Sequence, residues 1–72
     1  MSMYKVINNE LAKKILIKRR QQSITLSEMA EQVNVTRATI SQIERREKQV
    51  VQERVFSALV NWLQEEKHDH VD

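Results

Sequence analysis

The 72-residue sequence contains no glycine, no proline and no cysteine, and its only aromatic residues are Tyr4, Phe56 and Trp62. Hairpins, phosphate-binding loops and tight turns lean on glycine or proline, so their absence argues against a β-rich fold or a nucleotide loop. Without cysteine there is neither a disulfide framework nor a thiolate zinc site to brace a chain this small. No apolar run approaches the roughly 20 residues of a membrane span, and Met1 to Asn9 has no signal-like apolar region. The protein is therefore expected to be cytoplasmic. A domain of this size buries only roughly 60% of its unfolded surface, which calls for a compact helical core or a partner.

Ala, Leu, Glu, Lys, Gln and Arg, the good helix formers, together make up half of the sequence, and the expected fold class is all-α. The net charge of +2 hides an asymmetry: residues 1–54 hold eleven of the twelve Lys and Arg and six of the ten Asp and Glu, while residues 55–72 are acidic. A basic body of this kind suits a polyanionic partner.

Asn8 or Asn9 can cap a first helix beginning near Glu10, with Leu11, Ile15 and Leu16 on one face and Lys13, Lys14, Lys18 and Arg20 on the other. Before it, Tyr4, Val6 and Ile7 alternate with Lys5, compatible with an extended arm or with an apolar flap over the core. Thr25 and Glu28 form a capping box that opens a second helix at residue 26, with Met29 and Val33 inward and Asn34 ending it in a left-handed turn. Thr36 caps a third helix running to about Arg45, with Ile40 and Ile43 inward. Its outer face offers Arg37, Ala38, Thr39, Ser41, Gln42 and Arg45. Beyond a charged connector, Val51, Val55, Ala58, Leu59, Trp62 and Leu63 trace one stripe at spacings of three and four, predicting a fourth helix from about Val51 to Glu65. The expected organisation is an N-terminal arm over residues 1–9, one domain over 10–66, and an acidic tail, 67–72, without stable structure.

Residues Leu26 to Arg45 resemble the helix-turn-helix of the repressor family that includes Cro and the lambda-type repressors. Ala30 falls where the two helices cross; Met29, Val33, Val35, Ile40 and Ile43 fall where that motif packs. The resemblance extends from about Leu11 to Leu63 and implies a compact DNA-binding domain of four helices, or five, with a helix-turn-helix over about 25–45. It also implies that Arg19, near the end of the first helix, pairs with Glu44 at the end of the third. Two departures stand out. Leu26 replaces a glutamine that often reaches the DNA backbone, and Arg45 stands where the family favours glycine.

A helix fits the major groove, and its positive N-terminal end suits nearby phosphates. In that placement Arg37 can read guanine, Gln42 adenine, Ala38 a thymine methyl and Thr39 either role. Arg37, Ala38 and Gln42 match base-contacting positions of the family. Backbone contacts are expected from the helix starts at Thr25 and Thr36 and from Arg20, Arg45, Arg46 and Lys48. His68, Asp69 and His70 lack the positioned third or fourth ligand of a specific metal site, and no residue set suggests catalysis, so neither a metal, a cofactor nor an enzyme is expected.

The resulting expectation is a sequence-specific transcriptional regulator on a double-stranded operator, a Cro-like switch protein acting as a homodimer, with no membrane or small-molecule ligand. Trp62 and Leu63, neighbours pointing about 100° apart on a helix, cannot both be deeply buried in a small monomer. Val60, Trp62 and Leu63 are therefore candidates for a partner surface. Resemblance to small temperate-phage modulators of repression implies an alternative: an anti-repressor, or an antitoxin-like module, that binds a co-encoded repressor and masks DNA-binding surfaces.

Overall fold

A computed structural model describes residues 3–65. The tail with His68, Asp69 and His70 lies outside the described residues. The elements run β1 (Tyr4–Val6), α1 (Asn9–Gln21), α2 (Leu26–Val33), α3 (Arg37–Glu44), β2 (Val50–Gln52) and α4 (Glu53–Gln64).

Local chemistry sets the helix starts. The Asn8 side chain accepts from the Leu11 amide at 2.8 Å and opens α1. At α2 the box is closed in both directions: the Thr25 amide donates to Glu28 Oε1 at 2.7 Å, and the Glu28 amide to Thr25 Oγ1 at 3.0 Å. Thr36 accepts from the Thr39 amide at 3.2 Å and opens α3. Each cap satisfies an amide that the first helical turn leaves without a partner.

The helix ends are less expected in a chain without glycine. Ser23, Asn34 and Arg46 all take positive φ, 57°, 57° and 62°. Each turn is closed by an amide one residue further on, which reaches back five residues: Ile24 to the Arg19 carbonyl, Val35 to Ala30 and Glu47 to Gln42. The left-handed residue after α3 is thus Arg46 rather than Arg45, which keeps an ordinary negative φ of −88°. A left-handed non-glycine residue costs roughly 1–2 kcal/mol, partly offset by the extra chain entropy glycine would lose on folding. Arg46→Gly should therefore stabilise the fold by about 0.5–1 kcal/mol, seen as a melting temperature a few degrees higher; Asn34→Gly should change it less, because asparagine tolerates this region. A lower melting temperature for Arg46→Gly would show that the arginine makes compensating contacts.

The four helices enclose one core whose buried members are Ile7, Ala12, Ile15, Met29, Val33, Val35, Ile40, Ile43, Val51, Val55, Leu59 and Trp62. Leu26, the departure at the start of α2, packs half-buried against it. The fold is helical as expected, and it adds a small antiparallel sheet in which Tyr4 pairs with Gln52, Lys5 with Val51 and Val6 with Val50. Residues 3–7 are thus part of the same fold rather than a separate arm. Val51 belongs to β2 and not to α4. Its inward position fits the stripe at helical spacing, but it equally fits a strand that alternates between exposed Val50, buried Val51 and exposed Gln52.

Lys18 does not join the outer basic face of α1. Its ammonium donates to the backbone carbonyls of Trp62, Leu63 and Glu65, and lies 4.8 Å from the centre of the Trp62 ring. A cation there satisfies carbonyls left open at the end of α4 and meets the negative end of the helix dipole. Trp62 in turn donates its ring N–H to Gln32 Oε1 at 2.9 Å, tying α4 to α2. Among the described residues every buried side-chain polar atom has a partner.

Candidate nucleic-acid interface

The helix-turn-helix is held from behind by one ion pair. Arg19 Nε donates to Glu44 Oε2 at 2.7 Å and Arg19 Nη2 to Glu44 Oε1 at 3.0 Å, while Nη1 donates to the Ile24 carbonyl at 3.0 Å. The two side chains are only 16% and 7% exposed. The hydrogen bonds to Glu44 raise the Arg19 pKa, outweighing its partial burial, so the guanidinium is held charged. A planar fork gripping a carboxylate with two parallel bonds fixes angle as well as distance. The end of α1 and the end of α3 are therefore joined, with the connector before α2 tied in through Ile24.

With Ile40 and Ile43 buried, the opposite face of α3 is turned outward. Arg37, Ala38 and Gln42 are exposed, and Thr39 and Ser41 are half-buried. The Thr39 hydroxyl accepts from that of Thr36 at 2.8 Å, which leaves its own O–H able to donate to a partner. Thr25 and Thr36, whose hydroxyls are used as caps, are both exposed at the starts of α2 and α3. Arg20, Arg45, Arg46 and Lys48 are all exposed, and Lys48 lines a cleft with Thr36; Arg45 lies 3.7 Å from Glu47, a solvent-facing contact of little energetic weight.

Arg54 was not singled out by the sequence. It lines one cleft with Lys48, Gln52, Thr36 and Thr39, beside the start of α3. It is exposed and sits in the first turn of α4, where the helix dipole disfavours a cation. That mismatch is the signal that would have marked it, had the start of α4 been placed at Glu53 instead of Val51.

Of the residues proposed for a partner surface, Trp62 is removed by the structure: it is 4% exposed, under Lys18 and bonded to Gln32. Leu63 and Val60 are half-buried and remain. Among the described residues there is no cluster of three or more His, Cys, Asp or Glu able to hold a metal ion, and no helix is long and apolar enough to cross a membrane.

Comparison with known proteins agrees with this geometry. The family described as Helix-turn-helix matches residues 15–61, from the middle of α1 almost to the end of α4. No curated protein and no solved structure matches the chain. The matched span contains the capped α2, the left-handed Asn34, the outward face of α3 and both partners of the Arg19–Glu44 pair. The chain belongs to the helix-turn-helix family of the Cro and lambda-repressor type, whose members are DNA-binding regulators of transcription.

Proposed function

We propose that this protein is a Cro-like switch regulator that reads a short operator with α3 in the major groove. One observation carries the reading: on α3 the outward residues Arg37, Ala38 and Gln42 are all exposed while Ile40 and Ile43 are buried, so the helix is anchored on one side and chemically equipped on the other. Arg37 offers a bidentate donor for guanine O6 and N7, Gln42 a donor and acceptor for adenine, Ala38 a methyl for thymine, and Thr39 lies between them. The amide-rich starts of α2 and α3 at Thr25 and Thr36 approach phosphates, and Arg20, Arg45, Arg46 and Lys48 clamp the backbone on either side.

The test is to select binding sites from a randomised duplex and compare wild type with variants by fluorescence anisotropy. Arg37→Ala and Gln42→Ala should each relax preference at one base pair by about 10- to 100-fold with unchanged melting. Lys48→Ala should instead weaken binding to all sequences alike and reduce the logarithmic salt slope by about 0.9. If Arg37 and Gln42 leave preference untouched, α3 is not the reading surface and the proposal fails.

A second role, as an anti-repressor, draws support from the groove between α1 and α4, where exposed Ile17 and half-buried Leu63 lie beside Lys14 and Gln21, away from α3. A repressor seated there would leave Arg37 free, whereas one seated over α3 would compete with DNA. Repressor binding by Leu63→Glu and by Arg37→Ala separates these arrangements.

A further inference from the structure

The caps that open α2 and α3 begin alike and end differently. Both are threonines whose hydroxyl accepts from the amide three residues on, that of Glu28 for Thr25 and that of Thr39 for Thr36. At α2 the third residue is a carboxylate, which takes a bond from the Thr25 amide and closes the box. At α3 it is a hydroxyl, and the Thr36 O–H donates to Thr39 Oγ1 at 2.8 Å. A head-to-tail chain therefore runs from the Thr39 amide through Thr36 Oγ1 to Thr39 Oγ1. An oxygen that accepts a bond becomes the better donor, so the chain reinforces its own direction.

The consequence falls on Thr39. A threonine hydroxyl ordinarily rotates to donate or to accept as its neighbour requires. Here one acceptor site is taken by Thr36, and the same polarisation strengthens the Thr39 O–H as a donor. A carboxylate in this place, as at α2, would offer only acceptors and a charge that DNA phosphates repel. Thr39 shares its side of α3 with Gln42, three residues on. It also lines a cleft with Lys48 and Arg54, cations that draw a phosphate strand along this flank and bring base edges within reach of a half-buried hydroxyl.

From the geometry, and resting on the DNA-reading role above, we infer that Thr36 is a positioning residue that presents Thr39 as a hydrogen-bond donor, and that Thr39 thereby selects an acceptor on the base pair read by Gln42 or on its neighbour. In the major groove guanine N7 and O6, adenine N7 and thymine O4 accept, whereas cytosine shows only its amino donor. Cytosine on the contacted strand is thus the base that Thr39 rejects.

Sites selected by wild type from a randomised duplex should disfavour cytosine about tenfold at one position, within one base pair of the position set by Gln42. Thr39→Val, which keeps the shape without the hydroxyl, should relax that position alone, and Thr36→Ser should read as wild type does. Thr36→Asn separates direction from capping. Its side-chain carbonyl caps a helix as well as threonine does but has no hydroxyl to donate. The Thr39 O–H then turns back to that carbonyl and leaves a lone pair outward. This variant should melt as wild type does, by circular dichroism, and lose the discrimination against cytosine by about fivefold or more.

Thr36→Asn with wild-type preference would overturn the role given to Thr36. Thr39→Val weakening every sequence alike would place the hydroxyl on a phosphate and overturn the inference as well. In both cases the positions that depend on Arg37 and Gln42 persist. Their absence from the wild-type selection would instead sink the DNA-reading proposal, and this inference with it.

Discussion

Replacing Glu44 with alanine is expected to destabilise the protein by roughly 3–5 kcal/mol, because the carboxylate is 7% exposed and its removal strands a largely enclosed Arg19 guanidinium. In a domain of this length each kilocalorie corresponds to about 4–8 °C, so the melting temperature should fall by roughly 15 °C or more. Glu44→Gln, which keeps one acceptor and the shape, should lose less. The informative comparison is the double variant Arg19→Met with Glu44→Leu. Two apolar groups remove the unpaired charge, and stability should recover much of the loss even though the ion pair is gone. Thermal melts followed by circular dichroism decide the matter. A Glu44→Ala protein melting within a few degrees of wild type would mean that solvent already compensates the arginine.

The second large effect is expected at Trp62. Truncating a buried tryptophan to alanine costs roughly 3–5 kcal/mol through lost burial and the cavity left behind. Here the indole also supports the Lys18 ammonium and donates to Gln32, so the change releases contacts on α1 and α2 together. Leu63→Ala, one residue along but half-buried, should cost far less. Denaturant melts of both variants give the comparison. Equal, small losses would return Trp62 to the surface and contradict its place in the core.

The features readable from the sequence were those whose physics is local. The Thr25–Glu28 box, the Thr36 cap and the left-handed Asn34 each depend on residues within a few positions of one another, and all three are present. The outward face of α3 was legible for the same reason, since Ile40 and Ile43 alone orient an eight-residue helix. Arg19 and Glu44 are 25 positions apart, and only the resemblance to a family brought them together. Where partners are distant in sequence and no resemblance joins them, local pattern does not reveal the contact. Lys18 belonged by periodicity to a solvated face, but a four-carbon stem can turn either way, and the open carbonyls of α4 determine which. Ser23 and Arg46 carry none of asparagine's preference for the left-handed region, so tertiary packing rather than propensity places them there.

The sheet shows the same limit and has a kinetic consequence. Val6 and Val50 are 44 positions apart, and joining them in an otherwise open chain costs about 3 kcal/mol in loop-closure entropy against a ladder of only three residue pairs. Once α1, α2, α3 and α4 have packed, that closure is already made, and β1 need only settle its own few residues. The N-terminal strand should therefore dock last in folding and detach first in the native state, a sub-global opening that exposes Ile7 and Val51 while the helices stay closed. Amide exchange would then be fast in Tyr4–Val6 and slow in α1 and α4. The time the strand spends docked also sets how long the apolar pair Val6 and Val50 exists as a single surface.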